Sequence, residues 1–255
     1  MRTNLPARLM IAGVATLSLL SFFWPFLISA ENASQSAIAQ TLFMVLMPAF
    51  IAVVLTQYSS GGIDSRQLAI LGVLIALNAV IRLLGAGTAG IETIFFLIII
   101  GGYVFGASFG FLLGTGSLLI SALLSGGVGP WLPFQMMAAG LVGLGAGALP
   151  SMRNERAKIW VLVVYAVIAS YCYGALMTAW NWPFLAGLGT SIGYQPGAGL
   201  VPNLGRFLAY ETLTGGLLWD TGRAVTTAVL IRLTAPTLLA TLDRAARRAG
   251  FETKL

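Results

Sequence analysis

The side chains that could do chemistry in this chain are few, and most sit in apolar surroundings. Histidine is absent, which removes the usual metal ligand and the usual general base near neutral pH. The single cysteine, Cys172, lies in an apolar run and has no internal disulfide partner. No Gly-x-x-x-x-Gly-Lys-Ser/Thr loop occurs, so any ATP-driven work must come from another polypeptide. No nucleophile–base pair or metal constellation emerges, so the chain does not read as an enzyme, and no cofactor is expected. What remains is a set of ionisable and amide groups in or beside hydrophobic segments. Such groups are costly in hydrocarbon and are functional candidates by default. Asp220 and Arg223 stand three residues apart, which places them on one helix face as an intramembrane ion pair. A proton or ion pathway is the alternative reading of that pair.

The elements that must position these groups are hydrophobic rods. Of 255 residues, 58% are hydrophobic and 9% are charged, and the mean hydropathy is +0.90. Apolar runs long enough to cross a bilayer must pair their amides internally, so the fold class is all-α, a polytopic membrane helix bundle. Eight helices are expected, over residues 9–30, 40–57, 67–84, 92–105, 110–125, 134–149, 158–180 and 207–233. The fourth and fifth are short for a full crossing. The first is too long and too bulky for a cleaved signal, with Phe22, Phe23 and Trp24 in it, and reads as a retained membrane helix. A short amphipathic helix after Pro236 is expected along the inner membrane surface, or else a solvated tail.

The net charge of +6 follows the helix ends, which argues for membrane topology and against nucleic-acid binding. Cell-membrane insertion with both termini cytoplasmic places eleven of the fourteen basic residues inside, including the cluster Arg153, Arg156 and Lys158. The outer connections, near 85–90, 125–133 and 181–206, are rich in glycine, proline and aromatics. The third is long enough to read as a lid or binding loop. Asn78, Arg82, Glu92, Trp131, Gln135, Trp182 and Tyr194 all fall toward this side and are the candidates for an outward-facing pocket. Interfacial anchoring is the bland reading of each of them singly.

One segment, GYVFGASFGFLLG at 102–114, carries glycine at four-residue steps: Gly102, Gly106, Gly110 and Gly114. On a helix that spacing lines one face with small residues, and backbones can approach closely there. It follows a span containing Gly72, Ala76 and Ala79. After it come the outer loop GGVGPWLPFQ at 126–135, a basic inner loop, and LWDTGRA at 218–224 in the last span. This order resembles the substrate-binding membrane subunits, or S components, of energy-coupling factor vitamin transporters. The resemblance covers roughly residues 64–240.

The resemblance implies three parts: an N-terminal extension with two transmembrane helices (1–63), a six-helix substrate-binding core (64–240) and a basic cytoplasmic tail (241–255). It implies capture of one vitamin on the outer face, with a transmembrane coupling subunit and two cytoplasmic ATPases as partners in an ABC-type importer. Small residues on the first core helix, here Ala69, Gly72, Ala76 and Ala79, would form the docking face for the coupling subunit. The nickel and cobalt members use histidine ligands and are excluded. Among organic ligands, the 126–135 segment looks most like members assigned to cobalamin uptake. The alternative is a self-sufficient secondary transporter of a small organic molecule working through Asp220, Glu92 or Arg223. Such proteins often carry paired repeats, and no convincing repeat is present.

Overall fold

The computed structural model describes residues 13, 16, 17, 19–27, 41, 48, 51, 52, 65–85, 90–129, 131–185 and 190–251. Among these, every regular element is helical. A short helix α1 (Trp24–Leu27) is followed by α2 (Ser65–Gly85), α3 (Phe95–Phe105), α4 (Ala107–Ser125), α5 (Leu132–Ala148), α6 (Glu155–Leu185), α7 (Leu200–Leu213) and α8 (Gly216–Arg248). Four of them, α2, α4, α6 and α8, are long and apolar enough to cross a membrane, and α3 and α5 are shorter apolar helices. The spans expected at 9–30 and 40–57 lie outside the described residues except at isolated positions and at 19–27.

The helices α2 to α6 and α8 alternate between two ends of the bundle. One end holds the Gly106 corner, the 149–154 turn and the close of α8. The other holds the connections after α2, α4 and α6. Large apolar side chains face outward along the rods, among them Val73, Leu77, Val80, Leu123, Trp160, Val164, Val225 and Leu233. An apolar exterior of this extent suits hydrocarbon as the solvent.

Glycine sets the tightest packing. The 102–114 segment is the hairpin between two helices that the expected span limits at 105 and 110 place there, so its four glycines do not share one helix. Gly106 takes φ 98° and ψ 172°, which ends α3 and starts α4 on the next residue. Its role is conformational, since a Cβ there would meet nothing within 4 Å. The other three pack against α5, which runs antiparallel to α4. A Cβ on Gly110 or Gly102 would overlap the Gly143 carbonyl oxygen, and one on Gly114 would overlap that of Ala139. From the α5 side, Gly143 abuts the Gly110 carbonyl and Gly147 abuts the backbone of Ala107. Among the described helices the α4–α5 contact is the most extensive. Backbone approach this close maximises dispersion contact, which drives helix association where lipid offers no hydrophobic advantage.

Several boundaries differ from the sequence expectation, each for a local reason. Helix α6 starts at Glu155 rather than 158, because the Asn154 side-chain oxygen accepts the Arg156 and Ala157 amides at 2.9 and 3.3 Å. The 181–206 loop is largely structured. Helix α6 continues to Leu185, and α7 begins at Leu200. Asn203 exchanges two hydrogen bonds with the Gln195 backbone, at 2.9 and 3.0 Å. Arg206 donates to the carbonyls of Thr190, Ser191 and Gly193. The span expected at 207–233 is two helices, divided at Gly215 in a left-handed conformation. No separate amphipathic helix follows Pro236. Helix α8 runs through it to Arg248, so its 33 residues, about 50 Å long, exceed the roughly 30 Å hydrocarbon core.

Replacing Gly143 by valine forces α4 and α5 apart and is expected to cost about 1–3 kcal/mol, from overpacking. Gly72→Ala, where a Cβ meets open space, should leave stability unchanged. Thermal unfolding of the two variants in one detergent separates these outcomes.

Candidate functional site

The polar side chains singled out from sequence divide into two neighbouring groups at the end holding the α2–α3 and α6–α7 connections. The first lies where α2, α4 and the start of α3 meet α8. Helices α2 and α4 run parallel, so residues one turn apart on each can pair in step. Asn78 Nδ2 donates to Ser117 Oγ at 3.0 Å, and one turn on Arg82 Nη1 donates to Ser121 Oγ at 3.0 Å. Arg82 Nε also meets Glu92 Oε1 at 3.3 Å. The other oxygen of Glu92 faces Arg223 Nε at 3.9 Å. Arg223 in turn pairs with Asp220, one turn back on α8, and donates to the Ser170 carbonyl at 3.3 Å.

The expected Asp220–Arg223 pair is therefore present, but it is half of a larger assembly. Arg82, Glu92, Arg223 and Asp220 form one chain of alternating charge with no net charge, and their side chains are between 6 and 19% exposed. The guanidinium of Arg223 also sits over the Tyr173 ring, 4.9 Å from its centroid, and near Phe95 at 5.9 Å. A ring face supplies further electrostatic stabilisation to a desolvated cation. Asp220 reaches α6 only because residue 174 is glycine, since a Cβ there would collide with its carboxylate. Glu211, at the end of α7, is 6% exposed, with the Thr178 side chain of α6 beside its carboxylate.

The second group is aromatic. Trp182 is fully buried and donates from Nε1 to the Ile192 carbonyl at 2.9 Å. Tyr194 lies edge-on to it, with centroids 5.7 Å apart. Residues from the N-terminal segment complete the cluster. Phe26 stacks on Trp182 at 5.8 Å and meets Phe207 edge-on at 5.6 Å. Trp24, fully buried, donates from Nε1 to the Trp180 carbonyl at 2.9 Å. Phe22 contacts Phe134, which stacks on Trp180 with parallel rings 4.0 Å apart. The cavity among Pro25, Phe26, Tyr194, Gly197, Gly199, Leu200 and Asn203 holds about 30 Å³.

The seven pocket candidates are thus all at one end but not in one ring. Asn78, Arg82 and Glu92 belong to the charged assembly, and Trp182 and Tyr194 to the aromatic one. Trp131 stands at the rim with 45% of its surface exposed, and Gln135 is half-buried on the first turn of α5. Sequence reasoning missed Tyr173, Ser117, Ser121 and the N-terminal aromatics as parts of this end. The serines carried a usable signal, because Ser117 and Ser121 repeat the four-residue spacing of Asn78 and Arg82. On the outward side of α2, Ala69, Gly72 and Ala76 are exposed, whereas Ala79 is fully buried and faces the bundle. Among the described residues no group of histidine, cysteine and carboxylate side chains could hold a metal ion.

Glu92 is the one carboxylate that touches both arginines. Glu92→Gln leaves two cations against Asp220 alone and is expected to destabilise the protein by about 3–5 kcal/mol, the cost of uncompensated buried charge. Arg82→Gln, which leaves Glu92 paired with Arg223, should cost less. In the double variant Arg82→Gln/Glu92→Gln the charges balance again, and thermal unfolding should show a loss smaller than that of Glu92→Gln.

A family model described as ECF transporter, substrate-specific component, matches residues 66–235. No curated protein and no solved structure matches the chain.

Proposed function

The chain belongs to the family of substrate-specific components of energy-coupling factor transporters, and we propose that it captures a vitamin on the outer face of the cell membrane. Members of this family are multi-pass membrane subunits of transporters, not enzymes, and they work with the other subunits of the energy-coupling module. The match over 66–235 is the observation that carries the proposal. It spans α2 to most of α8 and leaves the N-terminal segment outside.

The binding end in this reading is the one that holds the charged and aromatic assemblies. Asn78, Arg82, Glu92, Trp131, Gln135, Trp182 and Tyr194 are its proposed ligand-facing residues. Flat rings already stack there on one another, as Phe134 does on Trp180, which supports a ligand with a planar unsaturated ring. A cobalamin-type ligand is the finer proposal, and it rests on the character of the 126–135 segment. A cavity of about 30 Å³ is far below the roughly 300–1,000 Å³ of a small-molecule site, so ligand entry requires the aromatic contacts to part. Phe26, which lines that cavity and contacts both Trp182 and Phe207, is one side chain whose withdrawal would widen it.

The opposite end is proposed to face the cytoplasm. Arg66, Arg153, Arg156, Arg244, Arg247 and Arg248 are all exposed there, as the positive-inside rule asks. Both termini are then cytoplasmic. The exposed small residues Ala69, Gly72 and Ala76 are the proposed docking face for a transmembrane coupling subunit, which two cytoplasmic ATPases would drive. All four members of the charged assembly are mutually paired, which speaks against their serving as a free proton carrier for the chain alone.

Native mass spectrometry of the purified chain should reveal one retained organic molecule of vitamin size. In vesicles the chain alone should bind that molecule without accumulating it, and accumulation should require the coupling subunit, the ATPases and ATP. Ion-driven accumulation by the chain alone would instead identify a secondary transporter. A bulky pair, Gly72→Leu/Ala76→Leu, should leave ligand binding intact while abolishing copurification with the coupling subunit.

A further inference from the structure

A groove of about 590 Å³ opens between the first turns of α2 and the last turns of α8, at the end remote from the charged and aromatic assemblies. Arg66, Arg244 and Arg248 line it, over a floor that includes Ala69, Ala245 and Ala249. Among the described residues none of these three arginines has a carboxylate within 4.0 Å. Arg244 uses one N–H on the Ala240 carbonyl of its own helix, at 3.2 Å, and its other donors remain available. Asp243, the adjacent acid, lies instead in the field of Lys158 and Arg247. The groove also receives the amino-terminal end of a 21-residue helix, whose macrodipole adds positive potential. Among the described residues, three guanidinium groups and a helix N-terminus share one cavity with no carboxylate between them, and their mutual repulsion favours an anion there.

We infer that this groove is a binding site for an anionic phospholipid, with the phosphate held by Arg66, Arg244 and Arg248. Guanidinium groups match phosphate oxygens in bidentate geometry. The apolar surroundings select a lipid over free phosphate. Small residues floor the groove, and along α2 the outward stripe continues through Val73, Leu77 and Val80, which are 66, 49 and 54% exposed. A free phosphate would satisfy the arginines and leave that apolar path uncovered. A phospholipid satisfies both, with its headgroup at the helix ends and an acyl chain along α2. Basic pockets between membrane helices are suited to such headgroups. The inference needs only that the chain spans a bilayer, and it stands whichever ligand the opposite end takes.

The test is native mass spectrometry of the full chain, released from mixed micelles with equal phosphatidylglycerol and phosphatidylcholine. The expected result is one retained phosphatidylglycerol and no comparable phosphatidylcholine. Arg66→Gln/Arg244→Gln/Arg248→Gln should weaken that retention roughly a hundredfold, since each basic residue near an anionic surface contributes roughly fivefold. The triple lysine variant should keep most of it, which separates charge loss from misfolding. Arg153→Gln/Arg156→Gln, at the same end but outside the groove, should change nothing. The inference is overturned if that control lowers retention as much as the groove variant does. It is overturned equally if inorganic phosphate binds and displaces the lipid, or if the groove variant loses only its association with the coupling subunit.

Discussion

Two arginines and two carboxylates meet inside an apolar bundle, and the rest of the architecture is arranged so that they can. Each charge taken singly out of water costs several kcal/mol, even after local relaxation. Joined as Arg82–Glu92–Arg223–Asp220, they form a neutral chain in which each cation faces an anion. The chain ties α2 and the entry to α3 to α8, elements that are far apart in sequence. It also fixes rotation about each helix axis, because a charged side chain turned toward lipid would lose its partner. Serine hydroxyls on α4, a ring face on α6 and a glycine at 174 complete the setting. Low dielectric makes the assembly strong when complete and costly when broken.

Dispersion does the remaining work. In a bilayer, apolar side chains gain little by leaving lipid for protein, so helices associate where their backbones can come closest. The α4–α5 contact meets that demand with glycine on both sides, in antiparallel register from Gly147 against Ala107 to Gly114 against Ala139. This rigid pair stands beside the end where the aromatic cluster closes. The two halves of the molecule thus differ in kind. One is held by backbone contact that leaves no room for change, and the other by ring contacts and a few hydrogen bonds that can part.

Much of this was legible from residues alone, and the exceptions have physical causes. Helical spacing predicts the Asp220–Arg223 pair, because three residues is one turn. It cannot predict Glu92 against Arg223, since the register between α3 and α8 depends on every helix between them. The glycine repeat signals close packing, and the expected span limits at 105 and 110 already place a break within it. That Gly106 alone makes the corner follows from its positive φ. The 181–206 stretch reads as loop because glycine is dense there. Asn203 and Arg206 overrule that composition by satisfying backbone groups that water would otherwise take. Ala79 sits at the same spacing as Ala76 but turns inward, a matter of where α4 lies.

Composition and run length alone establish hydrocarbon as the solvent and place most of the core helices, whereas α7 emerges only in the fold, where Gly215 divides the last expected span. Hydrocarbon forbids unpaired amides, and the length and polarity of each run leave little choice. The same residues carry the pattern that the family model of substrate-specific components of energy-coupling factor transporters matches over 66–235. Which charges neutralise which, which glycines touch, and that the N-terminal aromatics pack against Trp180 and Trp182 emerge only in the fold. Those outcomes depend on distances between segments remote in the chain, and no local spacing encodes them.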